Sequence, residues 1–382
     1  MAVPVYWAKL AVKNPKDNRL AKIRRLCEAV GLAERVKPLF QGGEDDVVAV
    51  KMHFGERGND TYLHPTFVRQ VVDCVKGAGA RPFLTDTCTL YKAMRHNAVD
   101  HLETAYLHGF TPYVVDAPII IADGVTSRSY EEVVVNLKHF ATVKIAQAFL
   151  SANAMVVLSH FKGHGFSGFG GAIKNLAMGC APQEGKIDQH GKSIVIYPGC
   201  IGCGQCVEIC PRSALSLEPN KKGKGCHAVI DRERCIGCYE CVSVCKQGAI
   251  GVDLPGEYAE FAERMAEYAY GAARRFQQKD RICYLNFVMN VTPQCDCAGW
   301  SDPLLVPDLG ILASTDPVAI DQACLDLVRQ APSLVPLAGH EHDHAVGHDK
   351  FAALHPKTQG AHQVVYAESI GMGSREYELI PV

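Results

Sequence analysis

Two runs of four cysteines, each spaced C-x2-C-x2-C-x3-C, constrain this chain more than any other feature in it. The first run holds Cys200, Cys203, Cys206 and Cys210, and the second Cys235, Cys238, Cys241 and Cys245. Thiolates at this spacing place three sulfurs on three irons of one cubane, while the fourth cysteine of each run reaches the other cluster. The spacing therefore predicts one 4Fe-4S cluster on Cys200, Cys203, Cys206 and Cys245, and a second on Cys235, Cys238, Cys241 and Cys210. The duplication extends past the ligands. Ile201-Gly202 and Ile236-Gly237 follow the first cysteine of each run, and Ser213-Ala214-Leu215 and Gly248-Ala249-Ile250 follow the last, as two symmetric cluster-binding halves would require. Zinc on paired CxxC motifs would leave the third cysteine of each triplet unused, and disulfides need an oxidising compartment that nothing in the sequence suggests. The runs differ at one point, where Lys246 stands in the place of Pro211; the ligand set stays complete.

A chain of 382 residues is too long for such a module alone. The expected organisation is an α/β domain in two parts, 1–195 and 255–382, interrupted by a small α+β ferredoxin-like module at 196–254. With 48% hydrophobic residues the chain can bury a sizeable core. A formal net charge of -2, without long Lys/Arg runs, gives no footing for nucleic acid. No run of about 18 apolar residues is present to span a membrane, and Met1-Ala2-Val3-Pro4-Val5-Tyr6 lacks the basic and apolar regions of a signal peptide. The expectation is a cytoplasmic protein. Seventeen cysteines there stand for thiols, metals or clusters, and two 4Fe-4S centres point to a low-oxygen setting.

Outside the cysteine runs the pattern alternates between strand and helix, which predicts a mostly parallel layered sheet with helices on both faces. Strands are expected at Val47 to Met52, Arg81 to Asp86, Tyr113 to Asp116, Ala154 to Ser159, Arg281 to Val291 and Leu309 to Ala313. Helices are expected at Pro65 to Gly79, Ala98 to Gly109, Asn136 to Ala152, Pro255 to Lys279 and Pro317 to Arg329, with a glycine-capped helix end near Glu368 to Gly373. The Pro255 to Lys279 helix reads as packing on the α/β core. In such sheets ligands sit beyond the C-terminal ends of the strands. Those ends carry His53-Phe54-Gly55-Glu56, Asp86-Thr87 and His160-Phe161-Lys162.

Three constellations at these ends can carry chemistry. His160-Phe161-Lys162-Gly163-His164 opens a glycine-dense loop running through Gly168, Gly170 and Gly171 into a helix bearing Lys174. Amides freed by glycine at a helix N-terminus can hold an anion, and Gly163, Gly165 and Gly168 match a dinucleotide fingerprint; glycines used only for tight packing remain the alternative. Lys174, Lys162, His160 and His164 are the candidate nucleophiles, bases and proton carriers. Cys295-Asp296-Cys297, with Cys180, could make a three-thiolate site with one open position, or be reduced structural thiols. Lys51-Met52-His53-Phe54-Gly55-Glu56-Arg57 can position an anionic substrate and move a proton through His53 and Glu56, unless it is an ordinary polar loop. The tract His340-Glu341-His342-Asp343-His344, with His348, reads by composition as metal-binding or merely solvated.

Lys51 to Asn59, Gly168 to Gly179, Cys295-Asp296-Cys297, Asp308 to Leu312 and Asp316 to Asp321 together resemble the uncharacterised iron-sulfur centre proteins of domain-of-unknown-function family 362. The resemblance spans nearly the whole chain and implies the fold and the clusters, with little chemistry. The glycine loop with Ala172 and Lys174 is also similar to a stretch of the nickel-pincer lactate racemases, in which the matching lysine carries the cofactor. Arg95 to Gly109 is similar to the helix after their substrate loop. Asn175 and Met178 depart from that family, whose members carry no ferredoxin insert. That likeness therefore implies only that Lys174 faces the active cleft.

The expected function is an oxidoreductase that relays low-potential electrons through two 4Fe-4S clusters to a cleft binding a small anionic substrate, with a redox partner protein and room for a third metal or cluster. Two alternatives stand beside it: an electron carrier docking a partner oxidoreductase, and a sulfur or metal donor in cofactor assembly.

Overall fold

The computed structural model describes residues 2–12, 14–39, 46–190, 194–220, 224–238, 240–251, 257–337 and 345–382. The His340-Glu341-His342-Asp343-His344 tract lies outside the described residues. An eight-stranded sheet forms the spine. Its strands in chain order are β1 (Val3–Ala8), β2 (Val47–Lys51), β3 (Arg81–Asp86), β4 (Ile119–Ile121), β5 (Ala154–His160), β6 (Ile282–Val288), β7 (Gly310–Ser314) and β8 (Tyr377–Pro381). Their spatial order is β8-β1-β7-β6-β5-β2-β3-β4. Every neighbouring pair is parallel except those that β7 makes with β1 and β6.

All seven residues of β5 and all seven of β6 are buried, as central strands covered on both faces must be. Successive side chains point to opposite faces, and the core divides accordingly. Met155, Val157, Tyr284 and Leu312 join one apolar cluster, while Val156, Leu158, Leu285 and Ile311 join the other. The second cluster is closed by α1 (Arg19–Ala29) and α2 (Pro65–Gly77), through residues such as Ile23, Leu26, Val68 and Val72. α3 (Ala98–Leu107) adds Ala98 and Ala105. The first is closed by α4 (Ala172–Cys180), α6 (Glu257–Gln277), α7 (Pro317–Gln330) and α8 (His362–Ser369), and α5 (Gln183–His190) follows α4. The amphipathic α6 does pack on this core, against α4, burying Phe261, Met265, Tyr268 and Phe276 at roughly 1.5–3 kcal/mol for each large apolar side chain.

Two expected elements are corrected. Asn136 to Ala152 is not one helix: Tyr130–Val134 and Thr142–Ala146 pair as an antiparallel hairpin, and only Gln147–Ser151 is helical. Asn136 has φ +51°, which turns the chain, and Val143 and Ile145 point inward on a period of two. Tyr113 to Asp116 is not a strand either. Pro112 occupies the first turn of a short helix, Pro112–Val115, where a fixed φ and missing N–H are tolerated.

The cysteine-rich segment leaves and rejoins the body through one antiparallel pair, Val195–Ile196 with Ile250–Gly251. Between them lie two short helices, Gln205–Ile209 and Glu240–Ser243, and a hairpin of Leu215–Pro219 with Cys226–Ile230. Ile194, Ala214, Leu215, Ala228 and Ile250 form its own small apolar centre together with Cys206, Cys235 and Cys241.

Candidate functional site

The eight cysteines of the two runs line two separate pockets. One is walled by Cys200, Cys203, Cys206 and Cys245 with Ile201, Leu217 and Ile250. The other is walled by Cys210, Cys235, Cys238 and Cys241 with Ile194, Leu215 and Ile230. Each pocket thus takes three cysteines from one run and the fourth from the other. Backbone amides already point at two of the sulfurs: Ala228 N–H donates to Cys200 Sγ at 3.3 Å and Ala214 N–H to Cys210 Sγ at 3.2 Å. Burial, with the neighbouring sulfurs, pushes the Cys241 thiol up to about 12 and that of Cys238 to about 11. Without a cation these two thiols keep their protons, and it is metal binding that releases them.

The second pocket borders the body. Lys92 N–H donates to Glu240 Oε1 at 2.8 Å, next to Cys241. Lys92 belongs to the loop after β3, and its neighbour Tyr91 donates its hydroxyl to the Cys297 carbonyl at 3.1 Å. That loop joins the cysteine segment to the polar cluster beyond the ends of β3, β2, β5 and β6.

In that cluster β5 delivers His160 and the following hairpin, Lys162–His164 with Gly168–Gly170, delivers Lys162 and His164. The hairpin is bound to the loop after β6 by Gly163 N–H donating to Thr292 O at 2.8 Å, which brings in Cys295-Asp296-Cys297. Lys174, in the first turn of α4, sets its ammonium 3.9 Å from Cys295 Sγ. One ring nitrogen of His164 and the sulfurs of Cys295 and Cys297 all lie within 4.8 Å of one another. Cys180 does not join them, which corrects the expected three-thiolate site. It ends α4 within the apolar core, and burial pushes its thiol up to about 12, with Lys51, Asp86 and Lys186 as its charged neighbours.

Asp296 anchors the arrangement. His160 Nδ1 lies 2.9 Å from its carboxylate oxygens and Lys162 Nζ 3.2 Å from Oδ2. His160 Nε2 meets the Met289 carbonyl at 2.8 Å, so both ring nitrogens face acceptors and His160 clamps Asp296 instead of serving as an open base. Lys162 stays a cation: burial would lower it, but Asp296 and Cys295 more than offset that. The Asp296 carboxyl, which burial alone would raise, is held well below the usual range by His160 and Lys162. A carboxyl depressed in this way stabilises the fold fully above its unfolded value of about 3.9 and loses that stabilisation as pH falls through the folded value. The stability advantage of the wild type over Asp296→Asn, read from urea midpoints, should therefore be constant from pH 7 to 5 and shrink below about pH 4. An advantage that persists undiminished at pH 3 would reject this account.

Glu56 and His53 hold an arginine that no motif in the sequence singles out. The buried Arg95 sets Nε 3.2 Å from Glu56 Oε2, Nη1 3.1 Å from His53 Nε2 and Nη2 2.5 Å from the Tyr91 hydroxyl. Glu56 also accepts from the Met94 and Arg57 amides, both at 3.1 Å. Burial, then Arg95, Lys162, Lys51 and Lys174, keep His53 well below its ordinary pKa and neutral. Lys51 bridges Asp86 at 3.0 Å and Asn175 at 2.6 Å. Only convergence in three dimensions reveals Arg95 and Tyr91, and gives Asp296, already marked by the cysteines beside it, its role as anchor.

The glycine loop is not an anion cradle. The amides of Ala172 and Ile173, at the start of α4, donate to Asp321 Oδ1 and Oδ2 at 2.7 and 2.9 Å. This carboxylate, reaching over from α7, occupies the place a phosphate would take. A Cβ on Gly171 would overlap it, and Gly168, at φ +74°, packs against Gly360. Gly170 pairs with Lys162 in the hairpin. Gly168, Gly170 and Gly171, expected to bind cofactor, thus serve close packing here, and of the fingerprint glycines Gly163 lies against the Pro293 carbonyl and Gly168 against Gly360.

The profile of the family described as Domain of unknown function (DUF362) matches residues 48–326. The chain belongs to this family. The match takes in both cysteine pockets and the polar cluster of this DUF362 protein. No curated protein matches it. Among solved structures, the lactate racemase apoprotein from Thermoanaerobacterium thermosaccharolyticum is similar at a TM-score of 0.39 and 11% identity, over 75% of this chain and 51% of that one. The DUF362 chain thus spans about half of that protein's length. Among the described residues no helix is long and apolar enough to cross a membrane.

Proposed function

We propose that the chain is an iron-sulfur oxidoreductase, with 4Fe-4S clusters on Cys200, Cys203, Cys206 and Cys245 and on Cys210, Cys235, Cys238 and Cys241. The observation that carries this reading is the crossed sharing of cysteines between two apolar-walled pockets, the exchange that the doubled spacing demands. When bound, each cluster supplies one electron at a time at low potential. A redox partner protein delivers those electrons to the cysteine segment, and the Tyr91-Lys92 loop, in contact with Glu240 on one side and Cys297 on the other, links the second pocket to the polar cluster. There Lys162 and Lys174 hold a small anionic substrate, while neutral His53 and His164 are placed to hold or pass a proton. Iron and acid-labile sulfide in anaerobically purified protein should come to about eight each per chain, with two cubane signals by low-temperature EPR after dithionite reduction. Fewer than about two irons after full reconstitution would sink the proposal.

A further inference from the structure

Cys295 and Cys297 are separated by one residue, and their sulfurs lie within 4.8 Å of each other. The backbone between them turns: Ala298 N–H donates to Cys295 O at 2.9 Å. A β-turn keeps its first and fourth Cα atoms within about 7 Å, so the first and third fall inside the separations that a disulfide spans.

The surroundings suit sulfur redox chemistry better than a metal cation. Two ammonium groups belong to this corner, Lys174 at 3.9 Å from Cys295 Sγ and Lys162 at 3.2 Å from the intervening Asp296; they would repel a cation and stabilise a thiolate. His164 makes a poor third ligand. Its Nδ1 accepts from the Phe166 and Ser167 amides, both at 3.1 Å, and burial keeps the ring neutral, so Nε2 bears the proton and is a donor. The Cys297 thiol donates to Cys295, which together with Lys174 and Lys162 holds the Cys295 thiol well below its usual pKa, while Cys297 is held well above it. One sulfur is thus a nucleophile and the other a proton-bearing resolving group.

We propose that Cys295 and Cys297 form a redox dithiol that reduces an anionic disulfide substrate and is itself re-reduced through the two clusters; this rests on the electron relay proposed above. The Cys295 thiolate attacks one sulfur of R–S–S–R′, forming a mixed disulfide and expelling R–S⁻. Cys297 then attacks Cys295 Sγ, giving up its proton as R′–SH leaves, and the Cys295–Cys297 disulfide forms. Two electrons, passed one at a time along the clusters from a low-potential one-electron donor and leaving from the second pocket, break that bond. Cys297 takes one proton and Cys295 remains a thiolate beside Lys174. Route and acceptor meet at Cys297, whose carbonyl accepts the Tyr91 hydroxyl one residue from the Lys92–Glu240 contact.

The test uses the full-length, cluster-loaded protein, glutathione disulfide as the oxidising probe, and alkylation mapped by mass spectrometry. In the wild type the peptide carrying Cys295 and Cys297 should lose both alkylation sites after glutathione disulfide and regain them with reduced methyl viologen. Cys297→Ser should instead trap glutathione on Cys295, Cys295→Ser should trap none, and Lys174→Ala should slow the reaction at pH 7 about tenfold or more. A pair that stays alkylatable throughout, or one equivalent of zinc, nickel or iron bound in the wild type and lost in Cys295→Ser, overturns the dithiol. If about eight irons are present and the pair never cycles, this inference fails and the relay stands. If the pair cycles with thiol reagents in protein that holds no iron, the relay fails and the dithiol stands.

Discussion

Cys245→Ala should remove about half of the iron, and the signal it abolishes should be the one lost in Cys200→Ala, not the one lost in its own run's Cys235→Ala. Cys210→Ala should likewise match Cys235→Ala. The reason is geometric. Cys245 walls the pocket of Cys200, Cys203 and Cys206, and Cys210 walls that of Cys235, Cys238 and Cys241. On the proposed ligand sets each deletion would take one of four thiolates from a cubane, and a cluster left with three protein ligands would be readily lost or converted. Iron analysis with EPR of the four single variants after identical reconstitution reads the pairing directly. If Cys245→Ala phenocopies Cys235→Ala, the ligand sets do not cross over, and the assignment of both clusters is wrong.

Arg95→Met should destabilise the fold by about 3–5 kcal/mol, the range for stranding a buried charge without its partner. Arg95 is 1% exposed and Glu56 4%, so water cannot replace the lost contacts. Glu56 would keep the Met94 and Arg57 amides but lose the guanidinium at 3.2 Å, and the Tyr91 hydroxyl would lose the guanidinium donor while keeping the Cys297 carbonyl as acceptor. Urea denaturation at pH 7 measures the loss. The double variant Arg95→Met/Glu56→Gln should recover part of it, because the stranded carboxylate is then neutral. A single-variant loss under about 1 kcal/mol would show that the network is solvated and does not hold the site.

Lys174 and Arg95 differ in how far sequence alone marks them. Lys174 follows a glycine-dense loop at a strand end, a context that flags it from spacing and composition. Arg95 sits in an irregular loop and acquires its role only when β2, β3 and their following loops meet. Asp321 is equally hidden: a carboxylate in the middle of α7 reads as an ordinary helix residue, yet it caps a helix that begins about 150 positions earlier in the chain. The buried runs of β5 and β6 are legible because strands covered on both faces are apolar throughout. The segment from Asn136 to Ala152 reads as a helix because Leu137, Phe140, Val143 and Phe149 mimic helical spacing, whereas alternation of Val143 and Ile145 with Lys144 carries the strand signal. β8, the edge strand, and its neighbour β1 escape a reading by pattern because their half-exposed residues alternate only weakly.

The pairing of Val195–Ile196 with Ile250–Gly251 has a consequence for ancestry. The whole cysteine segment is closed at its base like the stem of a hairpin, so the α/β body meets it as a short connection between α5 and α6. Loop-closure entropy grows only slowly with length, so the body's sheet order and core are indifferent to how much chain lies above that stem. A lineage could acquire, exchange or discard the segment without redesigning the sheet, and the two parts are free to diverge at different rates. Among the described residues, Phe166 and Tyr258 pack against the segment's apolar centre and Glu240 meets the Tyr91-Lys92 loop, and those contacts are where selection on the pair as a unit would leave its trace.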